Sequence, residues 1–422
     1  MSGTDWLATA GLIATLNAPE TPTSERYAGS FDTAPVETWR TALPGPPFPA
    51  AIHTELGAPL IHGDYIFVGQ AGTDGLHVLA RDSGARVRTL PAGAPVQAAP
   101  VVVDDLLVIT DLSGTTTVWE LGEGLDIRKR WERSSGAPVL SAAAVSRGLV
   151  MVAGVDNVVT AVDLKSGELA WRHAQRLDPG RSAELELYGA PTPVVAGDLV
   201  LSGFSDGTVT ALDHDTGDIV WQRRVGEGQY PDILGSPLMV GDDIVVAGYS
   251  EPLVGMHAAS RNVRWRLDVG GAGAPLAGGG QGARPDGTLG GASQHAFIYH
   301  GGEDGILRCV DARTGALVWE WDSETASALT EPVATEAGVL VGAAAGSVYL
   351  VDATSGERTW AWEPGFHISG VTVPPAVGGR QAVAVTNAGN IVSFVVPVDA
   401  PPWGQDDGVF SRLGGRSGPE RN

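Results

Sequence analysis

Ala161-Val-Asp163-Leu-Lys-Ser166-Gly167-Glu-Leu-Ala-Trp171 and Ala211-Leu-Asp213-His-Asp-Thr216-Gly217-Asp-Ile-Val-Trp221 align without a gap as Ala-x-Asp-x-x-Ser/Thr-Gly-x-x-x-Trp. Each stretch begins at the end of one alternating apolar run and ends inside the next. That pattern predicts a strand, a tight turn and a second strand. Gly adopts a left-handed backbone at little steric cost. Asp and Ser/Thr side chains bond the backbone of such turns.

Asp, Gly and Trp recur at the same spacing in Asp311/Gly315/Trp319 and Asp352/Gly356/Trp360. Partial copies fill the rest. Gly84 keeps the turn but has Arg88 at the Trp place, and Trp265 keeps the Trp but has Arg261 at the Gly place. Trp131 follows an irregular turn around Gly122 and Gly124, and Trp39 stands alone near the start. Trp-equivalent positions 39, 88, 131, 171, 221, 265, 319 and 360 are separated by 49, 43, 40, 50, 44, 54 and 41 residues. A period of roughly 40–50 residues with several short strands per unit predicts an all-β fold, an eight-bladed β-propeller of four-stranded antiparallel blades.

The 422 residues therefore divide into a loose N-terminal arm (1–35), one propeller (36–397) and a disordered tail (398–422). Units begin with small residues, as in Gly57-Ala-Pro59, Ala98-Ala-Pro100, Gly189-Ala-Pro191 and Gly235-Ser-Pro237, which suits strands crowded toward a ring axis. The sixth unit carries a Gly/Ala-rich insertion, 270–293, with almost no large side chain. Its composition predicts a mobile loop whose removal is nearly neutral. The eighth unit stops at Pro397 without its last strand. The orphan strand around Trp39 is expected to supply it and leave no open sheet edge.

A formal net charge of −22 repels phosphate backbones and argues against a nucleic-acid role. The single cysteine, Cys309, rules out an intrachain disulfide and a cysteine metal site; it reads as a small buried residue. No stretch approaches the ~20 apolar residues of a membrane span. Trp6 to Ala18 has the length of a signal-peptide core, yet Asp5 precedes it and no Lys or Arg does. A frayed leader or short helix is the expectation there.

The unit resembles the tryptophan-docking repeat of the quinoprotein-type (PQQ-like) β-propellers over residues 36–397. Two branches of that superfamily matter. The quinoprotein dehydrogenases bind pyrroloquinoline quinone and calcium on the propeller axis, often under an adjacent Cys–Cys disulfide, and this chain has one cysteine. The other branch resembles the BamB family of outer-membrane assembly lipoproteins, non-catalytic eight-bladed scaffolds whose last blade is completed by an N-terminal strand. This second branch implies a periplasmic or cell-envelope location; the N-terminus lacks a lipobox cysteine, and without a signal the location is cytoplasmic.

In the family the Trp residues stack between blades, which implies blade docking by Trp39, Trp131, Trp171, Trp221, Trp265, Trp319 and Trp360. Asp163, Gly167, Asp213, Gly217, Asp311, Gly315, Asp352 and Gly356 are read as turn residues. Asp213, Asp215 and Asp218 hint at a calcium loop, but the repeat accounts for all three, and such a loop needs about six or more oxygens. The nine histidines form no His-x-His or His-Glu-x-x-His pattern. No catalytic, cofactor or metal residue is assigned. Candidate contact residues lie in loops: Tyr188 after the polar 177–187 connector, Tyr230, and Phe366. The expected function is a protein-binding scaffold, monomeric on its own, with unidentified protein partners and no cofactor. A quinone- and calcium-dependent dehydrogenase, or a relic still holding that cofactor, is the alternative.

Overall fold

The computed structural model describes residues 36–43, 57–70, 75–176, 190–226, 231–248, 253–269, 276–278, 297–335, 337–362 and 370–396. Blade 4 shows how the repeat folds. Its strands, from the axis outward, are Val194–Ala196, Leu199–Gly203, Thr208–Asp213 and Ile219–Arg224. Alternating residues of the middle strands face the two neighbouring blades, so both faces are apolar and both are buried. That explains near-continuous apolar runs such as Leu199-Val-Leu in place of strict alternation.

The third and outer strands meet at a bulge. Ala211 pairs with Trp221 while the next residue, Leu212, pairs with Ile219, leaving Val220 as the extra residue. A bulge bends the strand and sharpens its twist. It recurs in blade 3 (Ala161 opposite Trp171), blade 5 (Gly255 opposite Trp265) and blade 6 (Cys309 opposite Trp319). The partner is small in these three blades, and at Gly255 an added Cβ would stand 2.1 Å from the Trp265 ring. Cys309 occupies such a place, 1% exposed, and burial pushes its thiol up to about 12.

Eight four-stranded antiparallel sheets form. Seven use consecutive strands; in the eighth, Val36–Ala42 lies beside Asn390–Val395, with Val36 opposite Val395 and Ala42 opposite Asn390. The first described strand thus completes the last blade. Eight hydrophobic clusters hold the ring, and each is shared by two adjacent blades. One of them joins Leu43, Val383 and Ile391 of blade 8 to Ile61, Ile66 and Leu79 of blade 1.

The Gly/Ala-rich stretch differs from expectation. Leu276–Gly278, inside the segment read as a mobile loop, is the inner strand of blade 6, with Leu276 opposite Tyr299 and Gly278 opposite Phe297. All eight inner strands are three residues long. The one in blade 6 is paired through its backbone ladder to Phe297–Gly301 although its sequence is only Leu-Ala-Gly. Gly273-Ala-Pro275 before it is the same unit start seen at 57–59 and 189–191.

Removing residues 36–43 leaves Asn390–Val395 as an open edge; the truncated chain is expected to lose its cooperative melt and to scatter light on warming. Deleting 274–279 removes an inner strand and is expected to lower the melting temperature sharply. An unchanged melt for either deletion would contradict the ring closure or the blade 6 assignment.

Candidate functional site

The repeat residues converge at the boundaries between blades. Five outer-strand Trp residues dock on the turn of the following unit, not their own. The Trp171 indole N–H donates to His214 O at 2.8 Å, and a Cβ added to Gly217 would stand 2.5 Å from Trp171 Cε3. Gly217 has φ +72°, so the position excludes a side chain twice over, by backbone conformation and by the ring on its Cα. The same dock recurs with Trp131 on Gly167 and Leu164 O, Trp265 on Gly315 and Ala312 O, and Trp319 on Gly356 and Ala353 O.

The turns are built alike. Asp213 Oδ1 accepts from the backbone N–H of Asp215 (3.0 Å) and Thr216 (2.9 Å) and from Thr216 Oγ1 (3.1 Å). Asp163, Asp311 and Asp352 accept the equivalent three bonds. Bonds from Thr216 and Asp215 hold the Asp213 carboxyl below its ordinary range, and bonds from Ser166 do the same for Asp163. At Asp352 burial opposes the shift, but bonds from Ser355 and Thr354 prevail.

The incomplete units complement one another. Trp39, which has no turn of its own, docks on Gly84, which has no Trp of its own, and donates to Arg81 O at 3.0 Å. Arg88, at a Trp place, donates to Ile127 O at 3.2 Å in the irregular turn region of blade 2. Arg261, at a Gly place, keeps φ +60° and lays its guanidinium 6.0 Å from the Trp221 ring centre. Trp221 makes no carbonyl bond of the docking kind among the described residues. Trp360 faces a blade whose third strand ends the ring, and its ring meets Phe394 edge-on at 5.5 Å.

Closure adds residues that the repeat does not flag. Arg81 donates to Gln381 Oε1 (2.6 Å) and Gly378 O (2.7 Å) of blade 8 and to Gly63 O (3.1 Å) of its own blade. Gln381 returns a bond to Arg81 O at 3.0 Å and reaches Ser393 Oγ at 2.7 Å, which also pairs with Thr38 Oγ1. Trp362 Nε1 donates to Glu37 Oε2 at 3.3 Å, and Arg40 lies over the same ring. Sequence offers one signal: Arg81 is the only charged residue at a place otherwise held by Leu164, His214, Ala258, Ala312 or Ala353.

Tyr188, Tyr230 and Phe366 lie outside the described residues. All three fall in chain segments that link an outer strand to the next inner strand. Among the described residues, no group of three or more His, Cys, Asp or Glu side chains is placed to hold a metal ion. Asp213 and Asp218 both accept a bond from Thr216 Oγ1, which ties that acidic run to its own turn. No helix among the described residues is long and apolar enough to cross a membrane.

Ring, closure and docked turns define the class: an eight-bladed β-propeller of tryptophan-docked repeats. The chain belongs to the family described as outer membrane protein assembly factor BamB, whose sequence profile matches residues 126–283 and 279–397. It is 24% identical over 350 residues to the outer membrane protein assembly factor BamB of Burkholderia pseudomallei (strain K96243), covering 80% of this chain and 83% of that one. The solved BamB from Moraxella catarrhalis superposes with a TM-score of 0.65 at 19% identity, over 86% of this chain and 100% of that one. A quinohemoprotein alcohol dehydrogenase from Pseudomonas putida HK5 shares the fold at a TM-score of 0.59 and 13% identity, over 88% of this chain and 78% of that one.

Gly217→Ala and Gly197→Ala separate the two demands on the docking glycine. Both positions have positive φ, but Gly197 has open space around it. Gly197→Ala should cost about 1–2 kcal/mol, and Gly217→Ala about 1–3 kcal/mol more because Trp171 must move; denaturant melts of the two variants measure the difference. For Asp213 the pH dependence has a definite sign. Its carboxyl is depressed in the folded state, so its contribution is whole above the unfolded value of about 3.9 and fades as pH falls through the lower folded value. The melting-temperature gap between the wild type and Asp213→Ala should therefore narrow on acidification from neutral pH.

Proposed function

We propose that this chain is a non-catalytic scaffold for outer-membrane protein assembly in the cell envelope, acting by presenting loops and rim to protein partners. Family membership across residues 126–397 is the observation that carries the reading. The docking geometry supports it. The repeated carboxylates are engaged by their own turns and the repeated tryptophans, 39, 131, 171, 265 and 319, serve as inter-blade docks, so the repeat supplies architecture in place of chemistry. On this reading the partner-contact residues include Tyr188, Tyr230 and Phe366, in the connectors between blades.

The fold it shares with the quinohemoprotein dehydrogenase does not by itself assign an activity, since one fold hosts many functions. A strain lacking this chain is expected to show less folded β-barrel protein in its outer membrane, read by heat-modifiable migration on gels. Unchanged barrel content would overturn the reading. So would oxidation of alcohols or sugars by the purified chain supplied with pyrroloquinoline quinone and calcium.

A further inference from the structure

The basic residues are not spread evenly over this acidic chain. The outer strands of blades 1 to 5 are Arg86–Pro91, Ile127–Ser134, Leu169–Ala174, Ile219–Arg224 and Val263–Leu267. They hold two, four, one, two and two Lys or Arg residues in turn, and one acidic residue, Glu132. Eleven of the chain's 27 basic residues thus lie in 31 of its 422 positions. The arc ends at blade 6, whose outer strand Leu317–Asp322 carries Glu320 and Asp322 and no basic residue.

Part of this arc is structural. Arg88, Arg133 and Arg266 donate to backbone carbonyls of adjacent blades, at Ile127, Gly167 and Val225. Arg128, Lys129, Arg130 and Arg172 sit in ion pairs whose cationic side chains are 45–72% exposed. Pairs this exposed are worth about 0–1 kcal/mol and exchange readily for another carboxylate. Arg86 and Arg223 are exposed and have no partner among the described residues, and Arg224 has only a 3.3 Å bond to Gly226 O. Exposed aliphatic side chains lie on the same strands: Val87 at 44%, Leu169 at 47%, Ile219 at 49% and Val220 at 51%.

Apart from the carboxylates of those ion pairs, acidic residues gather at turns. Asp163, Glu168, Asp213, Asp215 and Asp218 occupy the turns at one end of blades 3 and 4. The basic band therefore follows an arc over five blades and has a carboxylate-rich border at blades 3 and 4. A flat anionic membrane laid against the rim would meet few blades at once and would bring its charge close to that border, within reach of a screening length of about 8 Å. A narrow, flexible anion avoids both problems.

We infer that the rim of blades 1 to 5 docks an extended acidic polypeptide segment with interspersed aliphatic residues. This deepens the scaffold reading and rests on it. Guanidinium groups of Arg86, Arg223 and Arg224 take its carboxylates, and Val87, Leu169, Ile219 and Val220 take its apolar side chains. The contact is electrostatic at an exposed surface, so it weakens with salt.

The test titrates the full-length chain against a short fluorescent peptide of alternating Glu, Ser and Val, read by anisotropy at low and raised salt. Binding at low salt that falls steeply as salt rises is expected. Arg223→Glu combined with Arg224→Glu should weaken it about tenfold. Arg86→Glu should weaken it as well, and Arg313→Glu on blade 6, outside the arc, should leave it unchanged. No binding by the wild-type chain, or equal binding by the rim variants, overturns the inference. So does capture by phosphatidylcholine vesicles containing phosphatidylglycerol without binding to the peptide, which assigns the rim to a membrane. A wild-type chain that ignores the peptide while its deletion strain still loses folded barrels removes the rim assignment and leaves the scaffold reading standing.

Discussion

The ring depends on one contact: an indole laid on the Cα of a glycine in the next blade, with its N–H on the adjacent carbonyl. Hydrophobic wedges alone would hold two sheets together without setting their angle. The Trp–Gly dock sets it, because the ring needs both the absence of a Cβ and a carbonyl at about 2.9 Å. A flat side chain 6–8% exposed, as at Trp171 and Trp265, brings a large apolar area and one obligatory donor to the same boundary. Five boundaries use this device in full, at Trp39, Trp131, Trp171, Trp265 and Trp319. The other three replace it with a guanidinium on a carbonyl, a guanidinium over the ring, and an edge-on aromatic pair.

Much of this was legible in the chain because both halves of the dock are rare letters at a fixed spacing. Asp-x-x-Ser/Thr-Gly-x-x-x-Trp marks a turn and an outer strand together, and counting Trp-equivalents gave eight units. What the spacing conceals is that the dock runs between units. The missing Trp at 88 and the missing Gly at 261 look like defects of their own repeats, yet their effects fall on different boundaries: Arg88 answers the turn region of blade 2, and Arg261 faces Trp221 of blade 4. The lone Trp39 likewise looked like a fragment, while its partner Gly84 lay 45 positions on in a unit that lacked a Trp.

Other features were not legible, for physical reasons. The inner strand Leu276–Gly278 was hidden by composition, since Leu-Ala-Gly within a Gly/Ala-rich run lacks the apolar signature of inner strands such as Leu60–His62 and Leu238–Val240. The pattern that does betray it, Gly-Ala-Pro, had already marked two other unit starts. The clasp of Arg81 with Gln381 joins residues 300 positions apart, and neither belongs to the repeat. Only the closed ring brings them together, beside the one blade whose third and outer strands, Asn390–Val395 and Val36–Ala42, are not joined by a hairpin. The wedge of Leu43, Ile61 and Ile391 and the Arg81 network bind that composite blade to blade 1.

A ring of nearest-neighbour wedges has a functional consequence. Each repeated carboxylate is drawn into its own turn by three short bonds, and each repeated indole is covered by the next blade. Such groups cannot converge on a common point, whereas acid–base or metal chemistry requires side chains from several elements to meet at one place. Groups on connectors, on hairpin ends and on the outer strands are among those that the repeat leaves unengaged. Among the described residues, basic side chains gather along the outer strands of five consecutive blades, while carboxylates recur in the turns. A net charge of −22 averages over that division. With charges screened beyond about 8 Å at physiological ionic strength, a partner meeting the rim responds to the local guanidinium groups, and the sign of the whole chain does not predict the sign of what it binds.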